Sequence, residues 1–159
     1  MANEKKLISI EDTKFIFKTN FAGDPEQDSY GSDKRKGNII IPDEQMALDL
    51  RDAGFNVKQT KPKDPDDDNF IPRYFVSITA NYESDWPPKI YLVSGKANPV
   101  LLDETSVGII DKVYVTNVNV ILNTYCNPRT KKCSLYIKTM YVEQDIESDP
   151  FASRYARND

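Results

Sequence analysis

The sequence predicts a mainly β protein, a small twisted barrel or sandwich carrying one short helix. Three observations predict it. From Tyr74 onward the apolar residues fall in short runs rich in Val, Ile, Thr and Tyr, with turn residues between them. The stretch Val113 to Val142 reads as one long β-hairpin, two such runs flanking the turn sequence NPRTKK. A single segment, DEQMALDLRDAGFN, places its apolar residues at helical spacing. Five or six strands with one helix leave the strands to build the core, which is the barrel or sandwich solution.

Taken in order, a first strand is expected at Thr13 to Phe17, followed by the polar, Gly-containing loop NFAGDPEQDSYGSDKRK. A short apolar strand follows at Asn38 to Ile41. Asp43 is then a good N-cap, Met46, Ala47 and Leu50 share a helix face, and Gly54 supplies the stop, giving a three-turn helix over Asp43 to Ala53. Thr60 to Pro72 is proline-broken and acidic, hence an exposed loop. Tyr74 to Tyr82 and Lys89 to Gly95 are strands separated by ESDWPP, and a meander is the expected connection. NPVLLDETSVGIID contributes a short strand or a helical turn before the hairpin. Periodicity is lost after Gln144, so residues 1–144 are expected to form the domain and 145–159 a tail.

Alternation within the hairpin assigns its faces. Cys133, Leu135 and Ile137 point to the core, while Ser134, Tyr136 and Lys138 point away. In the first arm Val113 and Val115 share one parity, but Val118, Val120 and Leu122 take the other, which calls for a bulge near Asn117. The outward residues and the Arg129, Lys131 and Lys132 tip make a basic, aromatic ribbon suited to unpaired nucleic acid. Polar outward residues are equally what any half-exposed strand shows.

Length and charge bound the function. A chain of 159 residues buries a core without staples, as one domain. Its net charge of -4 removes the simplest sign of a nucleic-acid binder, so any such site must be a local patch. MANEKKLISI has no apolar signal region and no run approaches a membrane span, so a cytoplasmic location is expected. Cys126 and Cys133 would face each other across the hairpin mouth; a disulfide is geometrically conceivable, but a reducing cytosol favours thiols. Two Cys without any His are too few soft ligands for zinc. Asp64, Asp66, Asp67 and Asp68 lack the Gly and Glu spacing of a calcium loop. There is no phosphate-cradling glycine motif, and neither cysteine has a recognisable base beside it. No enzyme, cofactor or metal is expected.

The run SVGIIDKVYVTNVNVILNTYCNPRTKKCSLYIKTMYVEQDIESDPF resembles the C-terminal hairpin of small phage-encoded single-stranded DNA-binding proteins with an OB-fold. Val113 to Val120, Tyr125, Asn127 and Val142 to Asp145 stand where that group has a valine-rich strand, a Tyr, an Asn-containing turn and the exit of the returning strand. The glycine usual at the turn is missing. The group tends to end in an acidic tail that binds replication partners; here the acids are Glu143, Asp145, Glu147 and Asp149, beside Arg154 and Arg157. The early helix implies an elaborated OB-type barrel.

The resemblance implies sequence-independent binding of single-stranded DNA in phage-type replication or recombination, in the host cytoplasm, without catalysis. Phosphates would be neutralised by Lys34, Arg35, Lys36, Arg73, Arg129, Lys131, Lys132 and Lys138. Bases would stack on Tyr74, Tyr91, Tyr125, Tyr136 and Trp86, although strand tyrosines are often packing residues and Trp86 could instead plug the barrel end. Replication or recombination proteins at the tail and a second copy of the chain are the other partners implied. Two alternatives stand beside this. One is an interaction protein presenting the loops Asp64 to Asp68 and Glu143 to Asp149 to a host nucleic-acid-binding protein, without DNA affinity. The other is a metal-dependent nuclease using Asp and Glu.

Overall fold

The computed structural model describes residues 7–27, 31, 33–95 and 98–145. The strands are β1 (Leu7–Thr13), β2 (Phe15–Asn20), β3 (Arg35–Ile41), β4 (Lys58–Gln59), β5 (Tyr74–Ala80), β6 (Lys89–Ser94), β7 (Val100–Leu102), β8 (Val115–Cys126) and β9 (Cys133–Gln144), with helix α1 (Glu44–Asp52) after β3. A 3-10 segment, Val107–Asp111, precedes β8. The proposed tail, apart from Asp145, lies outside the described residues.

Strand order closes the sheet. The path is β1-β8-β9-β5-β3-β2, and only Lys14 separates β1 from β2, so its two ends are halves of one bent strand. The first half pairs with β8 at Ile10↔Val120 and the second with β3 at Phe15↔Ile39. The bend has a local cause: the ladder slips between Ile10 and Thr13, and Asp12 takes φ 52° while its N–H donates to Asn119 Oδ1 at 2.8 Å. Within the ring, β5 runs parallel to β9 through Thr79↔Tyr136, and the remaining neighbours are antiparallel. Counting the bent strand as one, this is the five-stranded Greek-key ring of the OB barrel. Helix α1 with β4, and the pair β6–β7, elaborate it.

The first strand predicted at Thr13 to Phe17 straddles the bend, because a local apolar pattern does not reveal where a strand changes partner. The second strand begins at Arg35, three residues before the apolar run, since Lys36 and Arg35 continue the ladder opposite Thr79 and Ala80. The meander is corrected. β5 has β3 on one side and β4 and β9 on the other, so β6 pairs instead with the second half of β9, parallel, from Lys89↔Thr139 to Ser94↔Gln144. Pro87 and Pro88 explain the difference: they hold the chain extended and remove donors, carrying it onward instead of reversing it.

The helix forms where the caps place it. Asp43 Oδ1 accepts the Gln45 N–H at 3.0 Å, and Ala47 and Leu50 are buried. Its end is a Schellman arrangement: the Phe55 N–H donates to Leu50 O at 3.0 Å and the Gly54 N–H to Arg51 O at 3.1 Å. Gly54 has φ 107°, and a Cβ there would lie 2.6 Å from Lys131 O, so only glycine lets the helix end meet the hairpin turn. The Cys133 N–H returns the contact, donating to Gly54 O at 3.1 Å.

Hairpin parity holds. Cys133, Leu135 and Ile137 are buried together with Val118, Val120 and Leu122, and the first ladder slip falls between Val115 and Asn117. A second slip joins Ile121 to Thr139 but Leu122 to Ile137, leaving Lys138 as the extra residue on β9. Cys126 and Cys133 are directly opposite at the ladder end, with Cα atoms 4.0 Å apart, and are joined by a disulfide. The thiols expected from compartment alone are thus overridden by geometry.

The barrel end is shut by the 3-10 segment. Val107 and Ile110 are buried beneath it, and the Asp111 carboxylate accepts Thr19 Oγ1–H at 2.6 Å, Phe21 N–H at 2.8 Å and Ala22 N–H at 2.9 Å. Gly108 lets this segment close down, since a Cβ there would come within 2.9 Å of the Ala22 Cβ. Trp86, 80% exposed, plugs nothing.

Candidate nucleic-acid interface

The outward side of β9 lies in the floor of a groove. Four recesses follow one another along it, each sharing walls with the next. The first is lined by Phe55, Lys58, Thr79 and Ser134. Thr79 and Ser134 also line the second, of about 410 Å³, with Lys34, Arg35 and Tyr136. Tyr136 and Asn81 continue into the third, about 350 Å³, whose other walls include Trp86, Asn123 and Tyr125. Trp86 and Asn123 open into the fourth and largest, about 900 Å³, which runs past Pro87, Pro88, Lys89 and Leu101 to Lys138. The residues Ser134, Tyr136 and Lys138, outward by parity, therefore succeed one another along the groove.

Each wall has a local origin. Asn123 and Tyr136 are ladder partners, as are Tyr125 and Ser134, so alternation on two strands puts all four on one face. Trp86 reaches that face because its turn is held by hydrogen bonds from Trp86 N–H to Ser84 Oγ (3.1 Å) and from Glu83 N–H to Asn81 Oδ1 (3.1 Å). Lys138 leans outward at the second ladder slip.

Of the residues named from sequence, Lys34, Arg35, Trp86, Tyr125, Tyr136 and Lys138 line the groove. Lys36 stands opposite Thr79 in the ladder, beside the second recess. Arg35 is heavily engaged: its Nη1 donates to Phe21 O (2.8 Å) and Ala22 O (3.0 Å), Glu104 is 3.8 Å away, and Tyr82 lies under the guanidinium at 5.7 Å. Arg129, Lys131 and Lys132 are exposed on the turn next to Cys133, which borders the first recess. Three others are elsewhere. Arg73 joins Thr60 by a backbone pair at the far end of β5, Tyr74 packs on the core beneath Arg51 at 5.6 Å, and Tyr91 stacks on Tyr141 at 4.8 Å.

Sequence reasoning missed Lys58, Asn81, Ser84, Lys89 and Asn123. Asn123 was within reach, since it shares parity with Tyr125; the others sit on loops and strand starts, where no periodicity marks direction. The Asp64 to Asp68 run forms local turns, Asp64 Oδ1 accepting from Asp66 N–H and Asp67 Oδ1 from Asn69 N–H, both at 3.0 Å. Among the described residues no three acids, cysteines or histidines are grouped to hold a metal ion. No helix among them is long and apolar enough to cross a membrane.

Tyr82, between the second and fourth recesses, has a buried hydroxyl without a partner among the described residues. Burial pushes its phenol up to about 12, against the opposing pull of Arg35. Below pH 10 the phenol is neutral in both folded and unfolded chains; from there to about 12 only the unfolded chain ionises, so stability falls across that window. Tyr82→Phe is expected to flatten that part of the pH–stability curve and to be neutral or stabilising by about 1 kcal/mol at neutral pH, because it removes an unpaired polar atom. Denaturant unfolding of both proteins across the alkaline range measures this; an unchanged slope would refute it.

No curated protein matches the sequence. Among solved structures, the chain is similar to the single-stranded DNA-binding protein from bacteriophage Enc34, C-terminal truncation, at 13% identity and a TM-score of 0.48, covering 89% of this chain and 87% of that one. The family described as "Putative phage ssDNA-binding domain" matches residues 2–158, and the chain belongs to that family.

Proposed function

We propose that the chain coats single-stranded DNA without regard to sequence, in phage DNA replication or recombination in the host cytoplasm. It is a binding protein and not an enzyme. The observation that carries the reading is the groove, in which exposed rings alternate with cations along one strand of an OB barrel. Unpaired bases stack on Trp86, Tyr125 and Tyr136, whose π faces accept any base, while the lysines face phosphates. A duplex hides its bases, so the rings give it nothing. Arg129, Lys131 and Lys132 meet the strand beyond the Phe55 end of the groove. Residues 1–144 supply this activity, and the tail 145–159 contacts replication or recombination proteins. A second copy would add at β7, which pairs with β6 alone.

Lys34, Lys58, Lys89 and Lys138 line the recesses, four candidate phosphate partners. At a slope of about -0.7 per phosphate, affinity for oligo-dT is expected to fall roughly fiftyfold between about 50 and 200 mM salt. Titration of oligo-dT and a matched duplex at both salts tests this. Equal affinity for the two, or salt-insensitive binding, would sink the proposal.

A further inference from the structure

Resting on that reading, the geometry points to one selective position in an otherwise tolerant groove: the recess between Trp86, Tyr125 and Tyr136 holds a single unstacked base and prefers thymine. Its rings supply the stacking walls. Its polar groups are unevenly matched. Asn81 Oδ1 already accepts the Glu83 N–H, which fixes the amide and leaves its Nδ2 hydrogens to donate. Ser84 Oγ already accepts the Trp86 N–H, which leaves its proton to donate. Half-buried Asn123 offers one acceptor and one donor group side by side, and no bond among the described residues engages its amide.

The recess therefore presents three donor groups and one acceptor. A base that complements this set shows two acceptors around one donor. Thymine does, through O4, N3–H and O2. Cytosine replaces O4 by an amino donor and N3–H by an acceptor, so against the same wall it sets donor to donor and leaves protein hydrogens unpaired. An unpaired polar group in a stacked, dry recess is what gives edge recognition its discrimination. The two pyrimidines have the same ring size, so this difference stands apart from stacking.

Trp86 is the single tryptophan of the chain and reports on this recess directly. Its fluorescence is expected to be quenched by oligo-dT and by oligo-dC of equal length, with roughly tenfold tighter binding of oligo-dT, within the range a good edge contact discriminates. Asn123→Asp exchanges the amide donor for an acceptor suited to the cytosine amino group and is expected to abolish or reverse the preference. Asn123→Ser, which keeps a small polar group, should reduce it while leaving thermal unfolding unchanged. Quenching by both oligomers with a dT:dC ratio that is unity in the wild type, or unaltered in both variants, overturns the inference and leaves general binding intact. Absence of binding to either oligomer overturns both.

Discussion

The double variant Trp86→Ala, Tyr136→Ala is expected to lose nearly all affinity for oligo-dT, about 2 to 6 kcal/mol, roughly a hundredfold or more. Each base stacked on an aromatic ring contributes about 1 to 3 kcal/mol, and these two rings flank the third recess from separate elements. Trp86 is 80% exposed, so its truncation removes little that the barrel needs. Tyr136 is half-buried and joins β5 to β9 opposite Thr79, so its truncation is checked by circular dichroism and by Tyr136→Phe, which retains the ring and should retain binding. A protein carrying both alanines that folds and binds oligo-dT like the wild type would remove the groove from consideration. Tyr91→Ala is the matched control. Its ring already lies parallel to Tyr141, 11° between planes, outside the recesses, and binding should persist.

The contrast between Tyr136 and Tyr91 shows where sequence stops being informative. Both are strand tyrosines at outward parity, and periodicity treats them alike. What separates them is the partner strand: β9 passes β5 at Tyr136 and then takes β6 as its neighbour after the slip at Lys138, so Tyr91 meets a ring where Tyr136 meets a recess. That choice of partner depends on residues 40 or more positions away, which a local pattern does not carry. The helix and the hairpin were legible because their determinants are local: Asp43 and Gly54 at the caps, alternation in β8 and β9, a parity change that marks the bulge. Barrel closure was half legible, since the parity change was visible but the bend at Asp12 and the pairing of β1 with β8 were not. Arg35 shows the reverse case. Its place beside Lys34 and Lys36 marks it as a phosphate ligand, yet its guanidinium bonds two carbonyls at the end of β2, because one side chain can serve the fold and border the groove together.

Asp111→Ala is expected to lower stability by about 3 kcal/mol or more and the unfolding temperature by about 10 °C, the largest effect of any single surface-proximal acid in the chain. The carboxylate is the sole acceptor given to two backbone donors, Phe21 N–H and Ala22 N–H, and it also takes the Thr19 hydroxyl. Phe21 is fully buried, so its amide has no ready access to water once the acceptor is gone, and a charged acceptor contributes more than a neutral one. The consequence spreads beyond three bonds. Asp111 ends the 3-10 segment whose Val107 and Ile110 close the barrel, and releasing it loosens the lid from the last turn of β2. Asp111→Asn keeps one acceptor but turns an amino group toward N–H donors, and should recover only part of the loss. Asp68→Ala, on the exposed acidic loop, should stay within about 0.5 kcal/mol of the wild type. Equilibrium urea unfolding separates the three variants: equal midpoints for Asp111→Ala and Asp68→Ala would mean that the 3-10 lid holds without its carboxylate. Nothing in the sequence singles out Asp111 among 25 acids, because its donors lie about 90 residues upstream and are backbone groups that any sequence supplies.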